Sequence, residues 1–226
     1  MVPALVDTTN HASMKHSETP IPPPHRITTV EQLESVYGEP VPRSLLKEIG
    51  HISDHYRAFI EKAPFVTVAT VGPEGLDCSP RGDPAGFVRV VDEKTLMIPD
   101  RRGNNRIDSM RNLVRDPRIS LLFLIPGVNE TLRINGRAEI IIEPDLCTSF
   151  SIKGKLPRSV LVITVERVYF QCQKALVRSR LWDGEAQIPR SDLPSTGKML
   201  EALSESEFDG EQYDRNYPKH LEKTIY

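Results

Sequence analysis

The sequence predicts a mainly β protein, an antiparallel barrel carrying helices at its flanks. Between Phe65 and Phe170, short apolar and β-branched runs such as FVTVATV, FVRVV, TLMIP and SVLVITVERVYF follow one another closely. Strands at that density favour a barrel over a helix-covered parallel sheet. Turn residues at Gly72-Pro73-Glu74-Gly75 and Asp92-Glu93-Lys94 join neighbouring runs as hairpins. Apolar residues at helical spacing are confined to a segment before the strands, two short segments among them and a charged tail.

A chain of 226 residues is long enough to bury a substantial core. With 29 basic and 31 acidic residues its formal charge is -2, which gives no general drive toward nucleic acid or an anionic membrane, and neither is expected as a partner. Cys78, Cys147 and Cys172 are odd in number and lack CxxC spacing, so they read as free cytosolic thiols. No apolar run reaches the roughly 18 to 20 residues of a membrane span, and the N-terminus lacks a signal-peptide core. The expected location is the cytoplasm.

Residues 1–26 are rich in Pro, Thr and His without apolar period, and read as a flexible arm. His11, His16 and His25 are too irregularly spaced to suggest a metal site. Residues 27–64 form a helical extension, with Leu45, Ile49, Ile52, Tyr56, Phe59 and Ile60 predicting one amphipathic helix from Ser44 to Ala63. His51 and His55, at i and i+4 on it, lack an HExxH context and read as solvated surface, so no metal is expected. Strands follow at Phe65 to Val71 and Leu76 to Ser79, then at Phe87 to Val91 and Thr95 to Pro99. A short helix with Ile107, Met110 and Val114 on one face is stopped by Asp116-Pro117. Arg118 to Ile125 is a strand, and Glu130 to Ile142 a pair of strand segments broken near Asn135-Gly136. Glu143 to Ile152 is a short helix and Ser159 to Phe170 a long strand. The polar and basic QCQKALVRSRLW after it does not belong to the core, and Ser195 to about Leu221 is weakly helical.

The most informative stretch runs from Met97 to Phe123, where a strand enters a turn of Arg101, Arg102, Gly103, Asn104, Asn105 and Arg106 that opens a helix. Guanidinium forks, amide donors and a helix N-terminus together suit a phosphate. The bland alternative is a solvated basic turn. Neither a Walker pattern nor GxGxxG is present. Three further features favour a site. SPRGDP (Ser79 to Pro84) sets the hydroxyl of Ser79, the guanidinium of Arg81 and a carboxylate in one loop; Arg89 lies mid-strand and needs a partner if it points inward; Thr131 and Arg133 share a strand face. These features alone do not distinguish ATP, sulfate, RNA or a cofactor.

The ordered set SPRGDP, FVRVV, DEKTLMIP, IPDRRGNNR, DPRISLLF, ETLRINGRAEI and KALVRSRLW resembles the pyridoxamine 5'-phosphate oxidase-like, FMN-binding split-barrel family, and within it a large bacterial subgroup. The resemblance covers Phe65 to Asp183. It implies a six-stranded antiparallel split barrel of Greek-key type over 65–183, a C-terminal tail at 184–226, and a homodimer holding FMN in the cleft between its subunits. Residue by residue, it implies that Phe87, Val88 and Arg89 run beside the flavin and that Ile98 and Pro99 contact it from the next strand. Asn105 and Arg106 match the family's Arg-Lys phosphate pair, and Thr131 matches a polar residue bonded to the ring. Because Asn105 stands where the family has Arg, a cation from Arg101, Arg102 or Arg81 is expected to complete the phosphate grip, with Ser79, Asn104 and Arg133 in the same set. Lys174, Arg178, Ser179 and Trp182 either cover the flavin across the dimer interface or form an interface helix anchored by Trp182. Cys172 reads as a buried thiol. The family's Tyr, Arg and Ser substrate-phosphate set and its Arg-x-His segment have no match here, which argues against pyridoxamine phosphate oxidation. The implied activity is FMN-dependent hydride transfer with a small-molecule substrate and NAD(P)H as a candidate reductant. The alternatives are a non-catalytic flavin carrier or a barrel holding haem or a deazaflavin, though His51, His55 and His220 all lie in flanking segments.

Overall fold

The computed structural model describes residues 25–205 and 207–226; expectations for the remainder of the arm, His11 and His16 included, lie outside the described residues. The chain divides into two compact units, Met1–Val41 and Pro42–Tyr226. In the first, α1 (Val30–Tyr37) starts where the Thr29 side chain accepts from the Gln32 amide and stops at Gly38, whose φ of 67° suits a residue without a Cβ.

The second unit is built on a seven-stranded antiparallel sheet. Its strands are β1 (Phe65–Gly72), β2 (Gly75–Gly82), β3 (Arg89–Val90), β4 (Thr95–Asp100), β5 (Arg118–Leu124), β6 (Thr131–Ile141) and β7 (Ser159–Gln171), in the order β2-β1-β5-β6-β7-β4-β3. The mainly β antiparallel architecture with flanking helices is as expected, but the expected six-stranded split barrel is corrected to an open sheet with one more strand. Prolines explain part of the opening: Pro80 in β2 and Pro84 just beyond it have no N–H to offer a further strand. Side chains span the gap between the ends of β2 and β4 instead. Arg101 pairs with Asp83 at 2.7 Å, and Arg81 lies 3.9 Å from Asp100.

The core follows the two-residue strand period. Val66, Val68 and Thr70 of β1, Ile119, Leu121 and Phe123 of β5, Leu132 and Ile134 of β6 and Ile163 and Val165 of β7 are all buried. The sequence break at Asn135-Gly136 is a bulge rather than a gap. Asn135 faces Arg167 while Gly136 faces Val165, so Glu166 of β7 is the extra residue and β6 stays one continuous strand. Only glycine fits there, because a Cβ on Gly136 would lie 2.2 Å from the Thr164 carbonyl oxygen.

The single helix expected from Ser44 to Ala63 is two, α2 (Pro42–Leu46) and α3 (Asp54–Lys62). The intervening backbone is consumed by tertiary pairing: Ile49 exchanges bonds of 3.1 and 2.8 Å with Val168, and the Ile52 amide donates to Glu93 at 2.7 Å. Ser53 then caps α3 by accepting from the Tyr56 amide. His51 thus sits in the linker rather than on a helix with His55, and both are exposed.

Helix α4 (Asp108–Arg115) buries Ser109 and Leu113, whereas Ile107 and Val114 are exposed. The expected apolar face was misplaced because Ile107, at φ 54°, precedes the helix instead of joining it. Helices α5 (Pro144–Ser149), α6 (Lys174–Ser179), α7 (Thr196–Leu203) and α8 (Gly210–Thr224) complete the unit. Cys147 is buried, but Cys172 is exposed, since β7 ends one residue before it. The Phe87 to Val91 strand shrinks to two residues, although Phe87 and Val88 ahead of it remain buried. Among the described residues no helix is long and apolar enough to cross a membrane.

Two outcomes follow from these local features. Gly136→Ala should cost about 2 kcal/mol or more through overpacking against Thr164, read as a lower urea midpoint; an unchanged midpoint contradicts the close approach. Asp116 takes side-chain and backbone bonds from Arg118, which hold its carboxyl down to about 2. A carboxyl lowered on folding stabilises above its ordinary value and loses that contribution as pH falls. Asp116→Asn should therefore lower the melting temperature relative to wild type at neutral pH, and the difference should vanish as pH approaches 2; a pH-independent difference contradicts this.

Candidate functional site

The ends of β2 and β4 meet at a cavity of about 460 Å³. β2 and the residue after it bring Pro80 through Asp83, β4 and its outgoing turn bring Pro99 through Asn105, and Phe87, Ile107, Arg158, Ile225 and Tyr226 complete the wall. Asp83 is its fixed point. Its side chain is only 1% exposed; Oδ2 accepts from Arg101 Nε at 2.7 Å and Oδ1 from the Tyr226 hydroxyl at 2.8 Å. Arg101 Nη1 reaches on to the Phe150 carbonyl at 2.7 Å. Arg89 lies over the Phe150 ring, 3.6 Å from its centroid, and donates to the Ser149 hydroxyl and carbonyl. Half-buried Arg89 thus finds its partner at the end of α5. Partial burial, and then the nearby Arg101 charge, hold the Arg89 pKa below its ordinary value, without approaching loss of its proton.

Behind the cavity, Arg81 Nη1 donates to Ser79 Oγ at 3.1 Å and to the Pro80 carbonyl at 2.9 Å. Ser79 Oγ lies 2.8 Å from Ser109 Oγ, which donates to Asp77 at 2.5 Å. This chain orients the guanidinium from β2 and α4 together. Burial raises the Asp100 carboxyl above its ordinary value against the opposing pull of Arg81 and Arg158. Arg158 also donates to the Asn105 side-chain oxygen at 2.9 Å. Asn105 itself adopts φ 62°, a left-handed conformation that asparagine tolerates well. Arg102 is exposed to the cavity and has no hydrogen bond or ion pair to a described residue.

The structure thus gathers Arg81, Phe87, Pro99, Arg101, Arg102, Asn104 and Asn105 around one cavity, with Ser79 behind Arg81. Val88 and Ile98 are each 1% exposed and turn into the core. Arg106 is not among the lining residues; its side chain is 76% exposed and pairs with Asp108 at 2.9 Å. The remaining residues form a second group at the far end of β7. Thr131 donates to Gln171 at 3.4 Å, Arg133 donates to the Tyr169 hydroxyl at 3.0 Å, and Trp182 donates to the Val128 carbonyl at 2.8 Å. Lys174, Arg178 and Ser179 are exposed on α6. β7 pairs Ser159 with Asp100 at its start and Gln171 with Thr131 at its end, so about 40 Å of strand separates the two groups.

Asp83, Asp100, Arg158 and Tyr226 were not singled out as site residues from the sequence. Asp83 had a signal, as the carboxylate of SPRGDP. Arg158 and Tyr226 had none, since Tyr226 reaches Asp83 across 143 residues. A larger cavity of about 1030 Å³ adjoins the first, sharing Arg102, Gly103, Asn104 and Ile225; its other wall is a face of α8 bearing Tyr213, Tyr217 and His220. Among the described residues no group of three His, Cys, Asp or Glu side chains is placed to hold a metal ion.

Removing Arg101 would strand a buried carboxylate. Arg101→Met should lower unfolding free energy by about 3 kcal/mol in urea titration, and Asp83→Asn in the same chain should restore part of it. A loss below about 1 kcal/mol contradicts a structural role for the pair.

Against known proteins, residues 52–172 match the family model described as pyridoxamine 5'-phosphate oxidase. No curated protein matches. Solved structures similar to this chain include HupZ of Group A Streptococcus, at 24% identity over 53% of this chain and 93% of that one, with a TM-score of 0.43. They also include a Clostridium acetobutylicum protein related to general stress protein 26, of the pyridoxinephosphate oxidase family, at 16% identity over 52% and 85% of the two chains and a TM-score of 0.40. An FMN-binding protein from Syntrophomonas wolfei matches at 15% identity over 62% and 97%, with a TM-score of 0.40. The family model spans more than half of the chain, and the protein belongs to the pyridoxamine 5'-phosphate oxidase family.

Proposed function

We propose that this chain binds FMN at the cavity between the ends of β2 and β4 and acts as a flavin-dependent oxidoreductase on a small molecule. The observation that carries the proposal is Arg102. In a family member, a cation with no partner among the described residues stands on a turn beside two further arginines, Arg81 and Arg158, and two asparagine side chains. A phosphomonoester needs several convergent donors, and these residues supply them. Among the three candidates for the missing cation, Arg81 and Arg101 already serve carboxylates, which favours Arg102 as the phosphate ligand.

The donor set fits the cofactor. Arg102, Asn105 and Arg158 would hold the phosphate, and Phe87 and Pro99 would line the flavin's path along the barrel edge. Bound flavin supplies a hydride acceptor and donor, with NAD(P)H as a candidate reductant, so the protein's part is orientation and exclusion of water. Thr131, Arg133 and α6 stand at the other end of β7, beyond the reach of this cavity's lining. A homodimer would set the Thr131 end of one subunit against the cavity of the other and thereby reunite the two groups. Lys174 and Arg178 would then offer cations to an anionic substrate.

Purified protein is expected to take up FMN and show a flavin rather than a haem spectrum, and to behave in light scattering as twice its 25.5 kDa chain mass. Replacing Arg102 and Arg158 together with Ala should weaken FMN binding about a hundredfold or more, at roughly 1.5–3 kcal/mol for each bond to a charged group, while Arg106→Ala should change it by less than about threefold. Equal affinity in the double variant, or an FMN-loaded monomer, contradicts this site.

A further inference from the structure

The tail that follows the sheet meets the site at its last two residues, Ile225 and Tyr226. Helices α7 and α8 pack tightly on each other: a Cβ on Gly197 would lie 2.0 Å from the Gly210 carbonyl oxygen, and the Gly197 amide donates to Asp214 at 2.8 Å. Toward the barrel the pair is far less bound. Among the described residues, the sole hydrogen bond from Thr196–Tyr226 to the sheet and its connections is that of the Tyr226 hydroxyl to Asp83, and no ion pair joins them. The α8 face that looks toward the site does not pack down on it. It stands across the cavity of about 1030 Å³ from Arg102, Gly103 and Asn104.

Tyr226 is well placed to act as a latch. Its ring centroid lies 5.9 Å from the Arg101 guanidinium carbon and 5.7 Å from Lys153 Nζ. Its hydroxyl takes the one oxygen of Asp83 that Arg101 leaves over. Both Ile225 and Tyr226 form wall of the smaller cavity, and Ile225 also borders the larger one, so this contact stands between the two spaces. The bond to Asp83 and that carboxylate's charge raise the phenol pKa, which keeps the hydroxyl a donor at neutral and mildly alkaline pH.

We infer that α8 is a lid over the candidate site, and that the Tyr226–Asp83 hydrogen bond is the latch controlling passage of a phosphate-bearing ligand between solvent and the Arg102 turn. The inference rests on the FMN reading for the identity of that ligand, but the latch itself does not. When the bond opens, α8 swings with α7 as one body and the two cavities become one channel. Tyr226 is in this sense a gating residue and takes no part in chemistry.

Tyr226→Phe keeps the ring, removes the latch hydroxyl and leaves Asp83 Oδ1 without its described donor. Stopped-flow mixing with FMN, and release of bound FMN on dilution, both followed by flavin fluorescence, should show association and dissociation both accelerated about tenfold or more, with the equilibrium affinity changing much less. Rates within about twofold of wild type overturn the latch. Hydrogen exchange on ligand-free protein gives a readout that needs no FMN: amides of 210–224 should exchange faster in Tyr226→Phe while those of β5 and β6 stay unchanged. If neither protein takes up FMN, the cofactor reading fails and the exchange data decide the latch alone; unchanged exchange in α8 overturns it.

Discussion

The buried pairing of Asp83 with Arg101 is the constraint on which the rest of the site depends. A carboxylate 1% exposed to solvent is tolerable only when both of its oxygens are satisfied, and Arg101 and Tyr226 do this between them. The pair stands where the backbone ladder does not close, joining the end of β2 to the end of β4. Through its second contact, at the Phe150 carbonyl, Arg101 also ties this seam to the end of α5, against which Arg89 is stacked. One ion pair thus sets the position of the turn that follows it, and with the turn the direction in which Arg102 faces.

The distribution of charge around that turn has a simple logic. Arg81 and Arg101 lie next to carboxylates, and their role is to hold the walls. Arg158 braces the turn through Asn105. Arg102 lines the cavity and has no hydrogen bond or ion pair to a described residue. Asn105 takes the left-handed backbone conformation and accepts a bond from Arg158, while the neighbouring Arg102 keeps a positive charge on the turn. Thr131 and α6 are separated from this cavity along the length of β7.

Much of the fold was legible in the sequence because strand period, β-branching and turn residues are local signals. The hairpin of β1 and β2 turns at Gly72 to Gly75, and the strands from Thr95, Arg118 and Ser159 fall within a residue or so of their expected ends. Failures came where tertiary pairing overrode local pattern. Ile49 and Ile52 fit a helical period, yet their amides are used by Val168 and Glu93. The Asn135-Gly136 signal was real, but it marked the close approach of β7 rather than an end of pairing. In the site, the clustering of Arg101, Arg102 and Asn105 was visible, while Arg158 and Tyr226 could not be, because nothing local marks a residue that arrives from another part of the chain.

We propose that the cavity at the seam recognises a phosphate on a flavin. Parallel titration of the protein with FMN and with riboflavin tests it most directly, because the two ligands share the ring and differ in the phosphate. The account predicts that FMN binds at least about a hundredfold more tightly, as expected for a dianion held by several charged donors. Equal affinities, or binding of neither, would contradict it.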